Sequence, residues 1–291
     1  MTVCGSSPRQ EKLAALIRDA KPGPGELCFW WLGQSGFVVK SATMCLAIDP
    51  YLSTTLEDST RDQPWKRHVR MMDIPVCAKQ LTGVDCVVIS HGHRDHYDPE
   101  TVDNLLKVNP GCVVISPGCL EKRLRDTHRC EVVSMDDGVV WKMRDCTISA
   151  LKAKHNEYDA GPCGYPYLSY AIELGGHSLF FAGDTIAHPA LALFLQELQP
   201  ELAFLPINGY SDELLAKGFA SNLTYTEVVE LGLSTGIGTI VPCHYDMFTI
   251  NTEQVGRFVN AANASGLRFL VPTVYDTFMV EQGGSVRWIL H

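Results

Sequence analysis

The sequence predicts an α/β domain in which two mixed β-sheets pack together and helices cover their outer faces. Three observations predict this class. The 291 residues are 46% hydrophobic and 20% charged, which is enough apolar material for a substantial core. Apolar runs typical of buried strands alternate with helical patterns, and each half of the chain repeats a meander followed by a strand–helix–strand unit. No flexible or low-complexity linker separates the halves, so we expect one domain.

The chain begins with a predicted helix over residues 8–20. Ser7 and Gln10 favour it because they can form a capping box at its first turn. A Pro-Gly-Pro-Gly run then ends the helix. We therefore distinguish an N-terminal helix and linker, residues 1–26, from a single domain, residues 27–291, and we expect the helix to cover a sheet edge or a neighbouring subunit.

The remaining elements follow from periodicity and from turn residues. Predicted strands span residues 27–32, 37–40, 44–48, 84–89, 112–116, 131–134, 139–143, 147–153, 168–174, 178–182, 202–206, 239–242, 268–271 and 277–280. Predicted helices span residues 99–108, 119–126, 189–198, 225–233 and 252–264. Residues 54–80 lack periodicity, which indicates either a solvated surface loop or a mobile flap over a site.

Composition excludes several classes of function. The net charge of −9 argues against a nucleic-acid partner, although a local basic pocket for a phosphorylated small molecule remains open. No stretch approaches the ~18 apolar residues of a membrane span, and no signal peptide is recognisable, so we expect a cytoplasmic protein. The eleven cysteines are odd in number and lack a Cys-x-x-Cys pair, so we expect reduced thiols. The expected partner is a small-molecule substrate, and a homo-oligomer is compatible with the sequence.

The strand predicted at residues 84–89 ends in a His-x-His-x-Asp-His motif. His91, His93, Asp95 and His96 place four potential ligands within six residues. Imidazole is the commonest protein ligand for metals, and carboxylate accompanies it at hydrolytic sites. Because a tight loop points successive side chains in different directions, the first two histidines can bind one ion while the other two side chains turn toward a second. A solvated polar loop is the alternative, but the density of ligands favours a metal site.

Three later strands each deliver a further ligand at their ends. The predicted ligands form a three-imidazole site, a second site of three side chains and a bridging carboxylate: His91, His93 and His155; Asp95, His96 and His244; and Asp184. This set suits two divalent ions about 3.5–4 Å apart, each with an open position for a water acidified toward hydroxide. Because the ligands are imidazole and carboxylate alone, Mn²⁺, Zn²⁺ and Fe²⁺ are all chemically acceptable.

Other polar residues receive weaker interpretations. Asp49 also follows a strand and is either a turn former or a support that hydrogen-bonds the ligand loop from behind. Cys243 is expected to point away from the metals because neighbouring strand residues alternate faces. The remaining histidines, which we expect to be structural or surface residues, are His68, His128, His177, His188 and His291.

The order of these acids and histidines resembles the metallo-β-lactamase superfamily. The resemblance spans about residues 29–278. Short motifs at residues 31–36, 48–53, 164–168, 183–185, 206–209 and 244–248 look like its UlaG-type branch, the L-ascorbate-6-phosphate lactonases and their relatives. The resemblance implies a four-layer αβ/βα sandwich and a cytoplasmic, commonly Mn²⁺-dependent enzyme that opens a phosphorylated sugar lactone.

The leading hypothesis is therefore a binuclear metal-dependent hydrolase. A hydroxide shared by two metals would attack the carbonyl of a sugar lactone such as L-ascorbate 6-phosphate, and Asp95 and Asp184 are the nearest candidates to carry the proton to the ring-opened alkoxide. One alternative is a phosphodiesterase of the same superfamily that acts on a small or lipid phosphodiester. An alternative of another class is a non-catalytic metal-bound binding or sensor protein, against which the open ligand set argues, because a structural zinc needs four closed ligands.

Half of the candidate substrate ligands lie in the aperiodic segment. Four basic residues could hold a substrate phosphate and two residues could act as neutral donors: Arg61, Lys66, Arg67 and Arg94; Asn208 and Tyr210. For the basic residues, an ordinary solvated surface is the competing interpretation.

Overall fold

A computed structural model describes residues 7–289 of the chain, and these form helices and two β-sheets. The helices are α1 Pro8–Asp19, α2 Thr55–Thr60, α3 Pro99–Val108, α4 Glu121–His128, α5 Pro189–Leu198, α6 Asp212–Ala216, α7 Tyr225–Thr235 and α8 Val255–Ala264. The strands are β1 Leu27–Gly33, β2 Gly36–Lys40, β3 Cys45–Ile48, β4 Cys86–Val88, β5 Val113–Pro117, β6 Val132–Met135, β7 Val140–Met143, β8 Cys146–Lys152, β9 Leu168–Leu174, β10 His177–Phe181, β11 Leu202–Pro206, β12 Thr239–Cys243, β13 Thr277–Glu281 and β14 Ser285–Ile289.

Each sheet joins an antiparallel part to a parallel part. The larger sheet has the strand order β14-β13-β1-β2-β3-β4-β5-β6, antiparallel up to β3 and parallel from β3 to β6. The smaller sheet has the order β12-β11-β10-β9-β8-β7, antiparallel from β7 to β10 and parallel from β10 to β12. Parallel neighbours need crossover connections, which the segment with α2 supplies between β3 and β4, and which α3, α4, α5 and α7 supply elsewhere. The predicted class of two mixed sheets with helices is confirmed.

The core lies between the two sheets, and strand β1 shows how the larger sheet is buried on both faces. Leu27, Phe29 and Trp31 belong to the core shared with the smaller sheet, whereas the intervening residues of β1 pack on the opposite, helix-covered face. Aromatic rings from both sheets interlock here. Phe37 of the larger sheet packs edge-on against Phe204 of the smaller sheet, with ring centroids 4.6 Å apart.

The N-terminal helix is positioned by its cap and by one buried face. The predicted capping box of Ser7 and Gln10 is present. Leu13 and Ile17 are buried on the outer face of the larger sheet. The helix therefore covers a sheet face, which corrects the expectation of an edge or a subunit contact. The division at residue 26 stays a prediction.

Several local predictions were wrong. No strand forms at residues 268–271, where Phe269 makes only an isolated bridge to Ile240 at the edge of β12. The aperiodic segment contains the short helix α2, and α6 and β14 were not predicted. The last helix begins at Val255, three residues later than expected. These elements are short or lie at sheet edges, so packing decides them more than periodicity does.

Two compositional expectations bear on the described residues. None of the helices within residues 7–289 has the length and apolarity needed to cross a lipid bilayer. All ten cysteines in that range are free, and most are buried, although Cys119 and Cys163 are exposed. This agrees with the prediction of reduced thiols.

Candidate metal centre

The predicted ligands come together where the carboxyl ends of strands from both sheets meet. The loop after β4 carries the His-x-His-x-Asp-His motif, and the ends of β8, β10 and β12 carry His155, Asp184 and His244. Strands β8, β10 and β12 run in the same direction, so their last residues reach the same edge of the smaller sheet. His244 adopts a left-handed backbone, φ +60°, which turns the chain sharply just after the strand.

The ligand atoms form two groups. His91, His93, His155 and Asp184 each offer one atom within a 4.8 Å cluster, and Asp95, His96 and His244 form a second such cluster. The membership matches the two predicted triads, with Asp184 joined to the first. The geometry is compatible with the predicted ligands.

Asp184 lies between the two groups. Its Oδ2 is 3.6 Å from His155 Nε2 and 3.9 Å from His91 Nε2 in the first group. The same oxygen is 3.5 Å from His244 Nε2, and Oδ1 is 3.3 Å from His96 Nε2 in the second. One carboxylate thus contacts imidazoles of both groups, which is the position a bridging ligand requires.

The fit of this set to metal ions can be judged from atoms that lack hydrogen bonds. His91 Nε2, His96 Nε2 and Asp184 Oδ1 are buried and have no hydrogen-bond partner among residues 7–289. Buried polar atoms are normally paired, because an unpaired one costs about 1–3 kcal/mol. Three such atoms directed to one place indicate that a ligand belongs there, and imidazole nitrogen with carboxylate oxygen suits a divalent transition metal.

Asp49 fixes the orientation of two ligands from behind. Its Oδ2 accepts a hydrogen bond from His96 Nδ1 at 2.8 Å and one from Ser90 Oγ at 2.5 Å. Ser90 Oγ is in turn 3.0 Å from His91 Nδ1. With Nδ1 engaged, each imidazole presents Nε2 to the ligand group, the arrangement by which a carboxylate supports a metal-binding histidine. Of the two roles left open for Asp49, this geometry favours the support.

Two further supports were not predicted. His155 Nδ1 donates to the carbonyl oxygen of Ser221 at 2.8 Å, which again leaves Nε2 for the site. Gln34 Nε2 donates to Asp95 Oδ2 at 2.9 Å and lies 3.1 Å from His244 Nε2. Gln34 belongs to the recognised motif at residues 31–36, so a signal for it existed, whereas a backbone carbonyl contact leaves no trace in sequence.

The charge states divide the histidines into two kinds. Burial lowers the pKa of His91, His93 and His155, so these rings are neutral, the form that binds metals. Burial alone would also lower the pKa of His96 and His244, but Asp184 and Asp95 outweigh it. They raise the pKa of His244 to about 9 and that of His96 well above its usual value.

The two carboxylates of the centre show the complementary effect. Burial would raise the pKa of Asp95 and Asp184, but the neighbouring His96 and His244 outweigh it and hold both pKa values well below the usual range. Without a metal, the negative charge of the carboxylates around the second group is therefore balanced by protonated imidazoles. Metal binding has to displace those protons.

A cavity of about 180 Å³ opens onto the ligand groups. Beyond four ligand residues its wall includes a cationic pair, two apolar side chains and two neutral polar ones: Lys66 and Arg94; Leu56 and Phe219; His68 and Asn251. Lys66 Nζ lies 5.2 Å from the centroid of the Phe219 ring, which brings the segment at residues 54–80 against the loop that follows α6.

Only some of the predicted substrate ligands lie at the cavity. Lys66 and Arg94 line the cavity. Arg61 pairs with Asp58 at the surface, and Arg67 and Tyr210 are exposed away from it. Asn208 is buried behind the wall and hydrogen-bonded to Asn251 Oδ1 at 2.9 Å. The position of the cavity therefore does not favour contact between the substrate and Arg61, Arg67 or Tyr210. It does not favour direct contact with Asn208 either.

The other histidines mostly occupy structural positions. His177 bonds Glu201 and the Gly25 carbonyl, and His188 accepts from Leu191 N as the N-cap of α5. His128 contacts the Tyr97 hydroxyl. His68 is different, because it lines the cavity. His291 lies outside the described residues. No periodicity distinguishes His68 from the others, so sequence offered no signal for it.

Two half-structures that meet at one edge around histidine and aspartate side chains place the protein in the metallo-β-lactamase class of folds. A family model described as a beta-lactamase superfamily domain matches residues 46–245, more than half of the chain and all seven predicted ligands. The chain belongs to this family.

Known proteins agree with this placement. A metal-dependent hydrolase of Methanosarcina mazei is 24% identical over 251 residues, covering 82% of this chain and 92% of that protein. A metallo hydrolase of Ignicoccus hospitalis gives a TM-score of 0.65 at 21% identity, covering 88% and 99%. An isothiocyanate hydrolase from Delia radicum gut bacteria gives 0.69 at 18%, covering 86% and 97%. At these identities the structural likeness shows the fold. The predicted superfamily and the prediction of a metal-dependent hydrolase are confirmed, and the lactonase branch stays a prediction.

Proposed function

We propose that this metal-dependent hydrolase uses two divalent ions to open a small ring ester, a sugar lactone. The observation that carries the proposal is the pair of ligand groups that share Asp184. A single-ion enzyme would need only one such group. The donor set accepts Mn²⁺, Zn²⁺ or Fe²⁺.

The residues divide the work of holding the ions. His91, His93 and His155 would hold one ion, Asp95, His96 and His244 the other, and Asp184 both. Such a pair of ions acidifies a water molecule and polarises a carbonyl oxygen. Asp49, through His96 and Ser90, keeps the imidazole nitrogens aimed at the centre.

Asp95 and Asp184 are the carboxylates that line the cavity, which supports their proposed role in carrying a proton toward the ring-opened alkoxide. Gln34 restrains Asp95 by donating to its Oδ2. Asp95 has a second oxygen besides the Oδ2 that Gln34 holds, so ligation and proton transfer need not compete for the same atom there.

The cavity wall supports a small and partly anionic substrate. A volume of about 180 Å³ is below the ~300 Å³ at which drug-sized pockets begin. Lys66 and Arg94 would face a negative group of the substrate, while Leu56 and Phe219 exclude water from one side. The same cations would suit a phosphodiester, which keeps that alternative as the competitor.

The test is a turnover panel of lactones, phosphodiesters and thioesters with protein loaded separately with Mn²⁺ and Zn²⁺. We expect the lactones to be hydrolysed fastest. His93→Ala should lose metal and turnover together, while His128→Ala, a change remote from the cavity, should lose neither. Preferential cleavage of phosphodiesters would replace the proposal with the phosphodiesterase, and two bound ions without turnover of any class would favour a binding protein.

A further inference from the structure

His68 is a buried histidine that belongs to neither ligand group and yet faces the catalytic cavity. It is 7% exposed and lines the cavity together with His93, Asp95 and Asp184. Its place in the chain, inside the segment at residues 54–80, is far from the ligand motif. Its role is therefore a question separate from metal binding.

The ring of His68 is held rigidly. It lies between two aromatic side chains, 5.6 Å from the Phe219 ring centroid and 5.1 Å from that of Phe248. Its backbone N–H donates to Thr60 Oγ1 at 3.0 Å, and the following residue, Val69, accepts from Thr249 N at 2.9 Å. Packing and backbone bonds thus fix the ring and leave Nδ1 unused.

One ring nitrogen of His68 lacks a protein partner. Nδ1 is buried without a hydrogen bond to any residue in the range 7–289, whereas the backbone of Lys66 is a hydrogen-bond partner of the ring. Burial lowers the pKa of His68, which favours the neutral ring with one donor and one acceptor. An unpaired polar group in a well-packed wall is unfavourable unless a bound molecule completes it.

A chain of hydrogen-bonded amide side chains orients a second polar group, that of Asn251, on the same wall. Asn222 Nδ2 donates to Asn208 Oδ1 at 3.0 Å, and Asn208 Nδ2 donates to Asn251 Oδ1 at 2.9 Å. One lone pair of the Asn251 oxygen is thereby engaged and the amide is oriented, so that its N–H groups are available to the cavity that it lines. This explains the burial of Asn208, which acts behind the wall.

We propose that His68 and Asn251 are specificity-determining residues that hydrogen-bond hydroxyl groups of a polyhydroxylated ring substrate. A hydroxyl both donates and accepts, so it complements a neutral imidazole in either tautomer as well as an amide donor. An anionic group would instead be drawn to Lys66 and Arg94 on the same wall. The inference rests on the proposed function for the class of ring, and it adds which of the ring's substituents the protein recognises.

The experiment measures binding, so that it does not depend on turnover. Two lactams that resist hydrolysis serve as probes: D-glucono-1,5-lactam, which carries ring hydroxyls, and 2-piperidone, which has none. Calorimetry with the Zn²⁺-loaded protein should show at least about tenfold tighter binding of the hydroxylated lactam, because sites built to hydrogen-bond a hydroxyl reject analogues that lack it.

Variants then separate recognition from packing. His68→Phe keeps an aromatic ring but no polar atom, and it should reduce the preference to about threefold or less with the metal content unchanged. His68→Gln restores a polar end and should recover part of the preference. In Asn251→Gly the glycine tolerates the left-handed backbone of that position, φ +55°. This variant should also reduce the preference for the hydroxylated lactam. If His68→Phe does not fold, the other two variants decide. His128→Phe is the matched control and should behave as wild type.

The outcomes are distinguishable from those of the proposed function. Equal binding of both lactams by wild type, or no binding of either, would overturn the inference. So would a His68→Phe protein that retains the full preference. A His68-dependent preference in a protein that hydrolyses no lactone would support the inference while the proposed lactonase activity fails.

Discussion

The edge that carries the proposed metal ligands and the wall that faces it are built in opposite ways. Each ligand follows the end of a strand, and hydrogen bonds such as Asp49–His96 hold the ligands in place from behind. The wall is assembled from connections, with Lys66 and His68 before β4 and Phe219 and Asn251 beyond β11. The sheets thus determine which chemistry is available, and the connections determine which molecule undergoes it.

The largest expected effect comes from changing the one ligand shared by both groups. Asp184→Asn removes the charge of the carboxylate but keeps its shape. Binding of the second ion should be lost, and kcat/KM should fall by about 10²–10³-fold or more, as when a group that stabilises developing charge is removed. Elemental analysis and turnover of the same preparation test this, and a variant that keeps both would remove Asp184 from the centre.

The charge balance of the ligand edge gives a pH effect that the wall does not share. In the metal-free protein the pKa of His244 is raised to about 9, so its contribution to stability is complete below its unfolded-state pKa, about 6.5. It is lost as pH rises toward 9. Denaturant titrations should show the free energy of unfolding falling across that window, with about 3 kcal/mol of the fall from His244 and a further part from His96.

Two controls sharpen this pH prediction. His244→Gln should make the fall smaller, since no proton is gained there on folding, while the part that comes from the raised pKa of His96 remains. Saturation with Zn²⁺ should flatten the profile, because the ion has already replaced these protons. A metal-free wild-type protein with constant stability between pH 6.5 and 9 would contradict the account of the charge balance.

A smaller effect is expected from the support behind the ligands. Asp49→Asn weakens the hydrogen bond to His96 Nδ1 and should lower metal affinity by about 10–100-fold, measured by competition with a chelator. Asp103→Asn disrupts an exposed pair with Lys107 and should leave affinity unchanged. Equal affinity in both variants would reduce Asp49 to the turn former of the competing interpretation.

The smallest effects belong to the cations of the wall. Lys66→Met and Arg94→Met should each raise KM for an anionic substrate by about tenfold with little change in kcat, the loss typical of one charge-assisted contact. Arg61→Met and Arg67→Met should change KM by less than about twofold, because both side chains are exposed outside the cavity. A reversed order would relocate substrate binding.

The contrast between strand ends and connections also explains how much of the fold could be predicted from the sequence. Strands buried on both faces, such as β1, read as continuous apolar runs, and the capping boxes at Ser7 and Thr224 mark the starts of α1 and α7. Elements whose formation depends on a pairing partner elsewhere in the chain could not be predicted in this way. Residues 268–271 have a strand-like pattern, but they pair at only one point beside β12, and that depends on how α8 returns the chain.

Within the site, the clustering of the proposed ligands could be predicted because one local motif and three strand ends supply them. Ser90 had a signal too, since it precedes His91 directly. His68 and Asn251 had none, because the property that distinguishes them is an unpaired or pre-oriented polar atom, which exists only in three dimensions. Asn208 was predicted to contact the substrate, but it lies behind the cavity wall and hydrogen-bonds Asn251.

The central claim is that two ligand groups sharing Asp184 hold two ions. Equilibrium dialysis of the wild-type protein against excess Zn²⁺ or Mn²⁺, followed by elemental analysis, measures this directly. The account predicts two ions per chain. A wild-type protein that saturates at one ion, or binds none, would contradict it.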